Sequence, residues 1–208
     1  FKNLLKAIYF LDEPLNHPHS VAMLKISEIA KKNVSVVLAG EGADEIFYGY
    51  ERYKTLNSNS DINKIIKNGA FIRKNSDLNN FENFYNPLYG ETHANRIKIY
   101  NNINIENKIK KIQYFECLTH LQSLLLRSDK MMMSNSIEAR VPFLDINLFN
   151  YAINLSDKIK KNRHQKIILK KILENLGYNK KFIYRKKIGY LLPLNNWLKN
   201  KKNYINEL

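Results

Sequence analysis

Six consecutive residues limit this chain more than any other feature. Val34-Ser35-Val36-Val37-Leu38-Ala39 is β-branched and apolar, with no polar alternation beyond Ser35. That pattern predicts a strand buried on both faces of a parallel sheet. It runs into Gly40-Glu41-Gly42, a glycine-rich turn, and then into Asp44-Glu45-Ile46-Phe47, a helix start with acidic residues where the helix dipole favours them. Strand, turn and helix in that order put a ligand site at the carboxyl end of the strand. Gly40 and Gly42 permit a sharp turn and close approach of backbone to a ligand. N–H groups at the start of the helix favour anions such as phosphate. Glu41, Asp44 and Glu45 supply three carboxylates within five residues. Backbone donors and carboxylates together suit a metal–polyphosphate complex, in which Mg²⁺ bridges the two. The same pattern also fits a capped helix after a buried strand and nothing more.

The remaining pattern is helical. Helices are predicted over Phe1–Leu11, over Ser20–Lys32 with Ser20 as N-cap, and over Ile105–Leu126. Others are predicted over Asp145–Leu155, over Gln165–Leu176 closed by Gly177, and over Asn195–Lys199. One clear strand among many helices reads as an α/β layer dominated by helices. Asn57 to Asn83, rich in Asn, Ser and Asp, reads as a surface insertion. With 208 residues, 44% hydrophobic and 25% charged, the chain is neither disordered, collagenous nor a disulfide scaffold. No stretch approaches the roughly 20 apolar residues needed to span a bilayer. The single cysteine, Cys117, forms no internal disulfide and points to a reducing, cytoplasmic compartment; mid-helix, it reads as a buried thiol. Residue 1 is Phe within a helical pattern, without a signal-peptide layout, so the sequence reads as a piece of a longer chain.

Charge first suggests a polyanion partner. Lys+Arg 34 against Asp+Glu 19 gives +15, and +12 of it lies in Asp157–Leu208. Nucleic-acid recognition would call for aromatic or Arg-rich patches. That quarter has 13 Lys but only Arg163 and Arg185 as arginines, and the whole chain carries 27 Lys and 29 Asn. The bias fits compositional drift better than nucleic-acid binding.

Two further clusters carry chemistry. From Leu124 to Asp145, the charges Arg127, Asp129, Lys130, Glu138, Arg140 and Asp145 sit among apolar residues. Buried charges must be paired, so these are expected to pair with one another. Arg127 and Lys130 are alternatively placed to face a phosphate or carboxylate, Met131 to Met133 to fill core, and Asp145 to cap the helix after Pro142. The third cluster, Arg185-Lys186-Lys187 before Gly189, is either a solvated loop or a set of point charges near a polyphosphate leaving group, with Tyr190 and Trp197 packing the loop. His17-Pro18-His19 has no partner at zinc-ligand spacing.

In this order, the clusters resemble the synthetase domain of glutamine-dependent asparagine synthetases. The resemblance rests on Leu11-Asp12-Glu13-Pro14, on Leu38-Ala39-Gly40-Glu41-Gly42-Ala43-Asp44-Glu45-Ile46-Phe47-Tyr48-Gly49-Tyr50 and on Asp129-Lys130-Met131. It continues through Ser136-Ile137-Glu138-Ala139-Arg140-Val141-Pro142-Phe143-Leu144-Asp145 and Arg185-Lys186-Lys187-Ile188-Gly189-Tyr190, followed by Pro193 and Trp197. It is weakest between Leu56 and Tyr114.

The resemblance implies a fold and a reaction. The fold is part of a parallel-sheet ATP-pyrophosphatase (adenine nucleotide alpha hydrolase-like) domain, with residues 1–208 as one partial domain. The reaction activates aspartate with Mg²⁺-ATP as an aspartyl-adenylate, which ammonia from glutamine then attacks to give asparagine, AMP and pyrophosphate. By resemblance, Glu41 orients ammonia and takes its proton, and Asp44 acts near Mg²⁺ and pyrophosphate. Lys187 stabilises the pyrophosphate. Gly40, Gly42, Arg127 and Lys130 join Asp44 and Lys187 around the nucleotide, while Glu138 and Arg140 support the site and Ala139 and Val141 lie near the ammonia tunnel.

Two departures stand out. Ala39 replaces the family's usual serine, and neither the Ser-Gly-Gly-x-Asp-Ser loop nor the glutaminase cysteine is present. Both are expected upstream in the same chain, so the piece alone is expected to be inactive and poorly soluble. Cys117 is not that nucleophile. No membrane partner is implied, and a homodimer is compatible. Amidation of another carboxylate, a sugar acid or a peptide, stays open.

Overall fold

A computed structural model of the chain describes residues 2–13, 19–57, 59–63, 65 and 79–186. In chain order these form α1 (Lys2–Leu11), α2 (His19–Ala30), β1 (Val36–Leu38), α3 (Ala43–Ile46), α4 (Arg52–Thr55), α5 (Asn79–Asn102) and α6 (Lys108–Glu116). A π-helical turn, Cys117–Leu121, joins α6 to α7 (Gln122–Met133). Then come β2 (Glu138–Arg140), a 3₁₀ turn (Pro142–Leu144), α8 (Ile146–Asn154), α9 (Asp157–Lys160), α10 (Ile167–Asn175) and α11 (Lys180–Ile183). They divide into two compact units.

The first unit joins residues 1–41, 123–142 and 180–208. β1 and β2 pair in parallel, Val37 opposite Ala139. The core beside them is Ala7, Leu11, Val21, Met23, Leu24 and Met131. Ser27, fully buried, ties α2 to the end of α7: its hydroxyl lies 2.9 Å from the Met131 carbonyl and accepts from Asn135 Nδ2 at 2.7 Å.

The second unit joins residues 42–122 and 143–179. One core cluster is built from Tyr48, Tyr53, Leu56, Tyr100, Ile103, Ile112 and Phe115. A second sets Ile46, Phe47 and Ala152 against Phe143, Leu148 and Phe149. Some helix starts, though not those of α3, α4 or α10, are capped by side chains. Asp145 accepts from the N–H groups of Asn147 (3.0 Å) and Leu148 (3.1 Å), and Asn107 from that of Lys110 (3.0 Å).

The strand Val36–Leu38 matches its expectation in position and parallel pairing, but not in burial. Val36 is 48% and Leu38 77% exposed, because among the described residues the sheet has two strands. Its partner β2 went unread, since Glu138 and Arg140 flank a single apolar residue. Ser20 does not cap α2. That helix starts at His19, and Ser20 Oγ is buried without a partner among the described residues. The long helix expected over Ile105–Leu126 begins later, runs on to Met133 and contains the π turn. Some of the charges from Arg127 to Asp145 pair with one another and some elsewhere. Glu138 pairs with Arg140 at 2.6 Å on the surface, but Lys130 pairs with Asp12 and Asp145 caps α8. Met131 and Met132 are core, whereas Met133 is 53% exposed. Gly177, in the left-handed region at φ 81°, follows α10 as expected. The helix expected over Asn195–Lys199, with Tyr190 and Trp197, lies outside the described residues, as does most of the expected insertion.

Candidate functional site

The acidic glycine turn divides between the units: Glu41 closes the first and Gly42 opens the second. In the first unit, the end of β1 is held beside β2, with the Ala39 N–H donating to the Arg140 carbonyl at 2.8 Å and the Glu138 N–H to Ser35 O at 2.9 Å. Gly40 and Glu41 therefore leave the carboxyl end of a parallel strand, where ligands of open α/β sheets bind. Gly40 has open space where a side chain would begin. Lys130, half-buried, is engaged with Asp12 at 2.6 Å, and Arg127 lies half-buried on the same helix.

In the second unit, Gly42 takes φ 88°, a left-handed conformation that a side chain disfavours, and an added Cβ would strike Leu144. The chain then makes one helical turn, α3, and leaves it through Tyr48 at φ 56°. The turn is far shorter than the helix start the sequence suggested. Gly49 N–H donates to Asp44 O at 2.8 Å, and an added Cβ there would meet the Asp44 carboxylate and backbone. Asp44 Oδ1 pairs with Lys166 Nζ at 3.1 Å. Lys166 stands immediately before α10 in the left-handed region, φ 51°, a strained conformation for a residue with a side chain.

Glu45 turns away from solvent. It is 1% exposed, accepts from Tyr50 Oη at 2.5 Å, and burial raises its carboxyl above the usual range against that bond. Close by in space, Glu116 takes the Tyr53 hydroxyl and pairs with Arg52 Nε at 2.5 Å, and the Arg52 guanidinium stacks 4.2 Å over Tyr50. Of the three loop carboxylates, Glu45 thus belongs to a buried structural network, leaving Glu41 and Asp44 for chemistry.

The structure brings Asp44 and Gly42 into one turn and places Gly40 and Glu41 at the strand end. Lys130 belongs to the first unit, on α7, and Lys187 lies outside the described residues. Four contributors went unread: Lys166, lost in a lysine-rich helix start; Gly49, which the motif contains but which carried no role; and Gln113 and Lys160, whose burial no local pattern signals. Among the described residues no three His, Cys, Asp or Glu side chains could enclose a metal ion. A single carboxylate such as Asp44 fits an ion held largely by the oxygens of a polyphosphate, the usual mode for Mg²⁺. No helix among the described residues is long and apolar enough to cross a membrane.

The family model described as asparagine synthase matches residues 1–208. Asparagine synthetase [glutamine-hydrolyzing] 1 of Bacillus subtilis is 30% identical over 242 residues, covering 96% of this chain and 37% of the relative. Asparagine synthetase [glutamine-hydrolyzing] 3 of the same organism is 31% identical over 193 residues, covering 90% and 31%. Asparagine synthetase [glutamine-hydrolyzing] 1 of Saccharomyces cerevisiae is 25% identical, covering 72% and 19%. The chain spans little more than a third of the first relative's length.

Proposed function

Taking as premise that the chain belongs to the asparagine synthase family, we propose that it contributes the amide-forming half of an ATP-dependent ligase. The substrates would be aspartate, ATP and ammonia drawn from glutamine, and the products asparagine, AMP and pyrophosphate by way of an acyl-adenylate. One observation carries the reading: a glycine-rich acidic turn at the carboxyl end of the parallel strand β1, leading directly into a turn on which Asp44 sits beside a lysine.

The residues divide the work by their chemistry. Gly40 leaves room for the nucleotide near the backbone, and Gly42 lets the chain make the left-handed turn against Leu144. Glu41 is the base that orients ammonia and takes its proton as the new C–N bond forms. Asp44, together with the phosphate oxygens, would hold Mg²⁺, which when bound neutralises the charge that grows on the leaving pyrophosphate. Lys166 balances the Asp44 carboxylate. Lys187, and Arg127 and Lys130, add positive charge for the phosphates. Glu138 and Arg140, paired on β2, support the neighbouring strand end.

Glu41→Gln tests the assignment in a protein that contains this chain and forms the amide. It should abolish ammonia-dependent amide formation while pyrophosphate release from ATP and aspartate persists. An unchanged amidation rate would remove the role of Glu41, and efficient amidation of a different carboxylate would redirect the substrate assignment.

A further inference from the structure

Lys160 ends α9 with only 1% of its surface exposed. A buried ammonium is unfavourable unless its protons find acceptors. Here Nζ donates to Gln113 Oε1 at 2.8 Å, to Ala152 O at 3.2 Å and to Ile153 O at 3.3 Å. The two carbonyls belong to the last turn of α8, where orphan acceptors and the negative end of the helix dipole attract a cation. Nζ also lies 4.6 Å from the Tyr48 ring centroid, and the Tyr48 hydroxyl donates to Asp157 Oδ1 at 2.5 Å on the same short helix as Lys160.

Gln113, fully buried on α6, directs its amide the other way. Its Nε2 donates to Glu45 O at 2.8 Å and to Ile46 O at 3.0 Å. These carbonyls belong to α3, a single turn whose own backbone bonds, Ile46 N–H to Gly42 O and Phe47 N–H to Ala43 O, are made at other carbonyls. An acceptor bond from a cation polarises the amide and strengthens the bonds its N–H groups donate. Lys160 therefore grips the Ala43–Gly49 segment at two points: at the end of α3 through Gln113, and at the exit through the Tyr48 ring. Apolar side chains of similar volume would fill this space, but they would bond no carbonyl of α3.

We propose that Lys160 and Gln113 are positioning residues that hold the Ala43–Gly49 turn, and with it the Asp44 carboxylate, in the register at which it meets a metal-bound polyphosphate. The inference rests on the assignment of Asp44 made above. Its mechanism, however, is read without activity, by amide hydrogen exchange of the full chain.

Gln113→Glu keeps the volume and an acceptor for Lys160, so the ammonium stays paired, but it removes both donors to α3. Exchange across residues 43–49 should rise at least tenfold, with α10 within twofold of the parent. Lys160→Met leaves the Gln113 amide in place without its polarising partner, and should raise exchange of 43–49 at least threefold, again ahead of α10. A change within twofold at 43–49, or a rise shared equally by α10 as in a general loss of stability, overturns the proposal. If Gln113→Glu does not fold, Lys160→Met decides by the same criterion. Asp44→Asn separates the two assignments. If Asp44→Asn leaves amide formation unchanged, the reading of Asp44 fails, whatever the exchange shows. If Asp44→Asn abolishes amide formation while exchange in Gln113→Glu stays at the parental rate, the positioning role fails alone.

Discussion

Replacing Lys160 with methionine should change not only how stable the chain is but how its stability depends on pH. Burial pulls the Lys160 ammonium down to about 8 from 10.5, with Asp157 opposing the shift. Below pH 8 folded and unfolded chains both hold the proton. Between pH 8 and 10.5 the unfolded chain binds more protons, so stability rises with pH there. The gap corresponds to about 3 kcal/mol in full, and about 2 kcal/mol of it accrues between pH 8 and 9.5. Above pH 10 the trend reverses, because burial holds the Tyr48 and Tyr50 hydroxyls protonated while unfolded tyrosines ionise.

Methionine abolishes the rise. At pH 7 it strands Gln113 Oε1 and the Ile153 carbonyl, each at about 1–3 kcal/mol, while Ala152 O keeps the Leu155 N–H, and it recovers about 3 kcal/mol of desolvation. The net at pH 7 lies between about 1 kcal/mol of gain and about 3 kcal/mol of loss, and relative to the parent the variant is about 2 kcal/mol less stable at pH 9.5 than at pH 7. Urea unfolding of the full chain at the two pH values measures both quantities. A parent chain without the rise, or a Lys160→Met chain that keeps it, would refute the reasoning.

Three other outcomes follow from single contacts. Gly49→Ala forces a methyl onto the Asp44 carboxylate and backbone; it should cost about 1–3 kcal/mol in urea unfolding and impair any activity that depends on Asp44. Asp145→Ala removes the cap of α8 and should cost about 1 kcal/mol, whereas Asp145→Asn should cost less than half of that in the same assay. Cys117 is buried and its thiol is pushed up to about 12, chiefly by burial. It should resist a thiol-reactive chromogenic disulfide at pH 8 in the folded chain and react within minutes in urea.

What could be read in advance was whatever repeats locally. Period and caps located the helices, as at Asp145 and Gly177, because those signals act within one turn of chain. The apolar run at Val34–Ala39 located β1 and its parallel character, because a continuous β-branched run has few other solutions. Its neighbour β2 stayed hidden: Glu138 and Arg140 look like a charged loop until a partner strand is supplied 100 residues away in sequence. The same distance hid the site's supports. Lys166, Gln113 and Lys160 reach the Asp44 turn through tertiary contacts, so their sequence neighbourhoods, a lysine-rich stretch and an ordinary helix, carried no trace of the role. The acidic loop itself was legible, but its division of labour was not. Only burial separates Glu45, held by Tyr50, from Asp44, held beside Lys166.

The central claim is that this chain supplies the amide-forming site of an asparagine synthetase. Its most direct test is the stoichiometry of products when a protein containing this chain is given aspartate, Mg²⁺-ATP and ammonia. The reading predicts AMP and asparagine in equal amounts, and in Glu41→Gln the loss of asparagine while pyrophosphate is still released, with AMP formed only as water hydrolyses the adenylate. AMP without asparagine from the unaltered protein, or ADP in place of AMP, would contradict it.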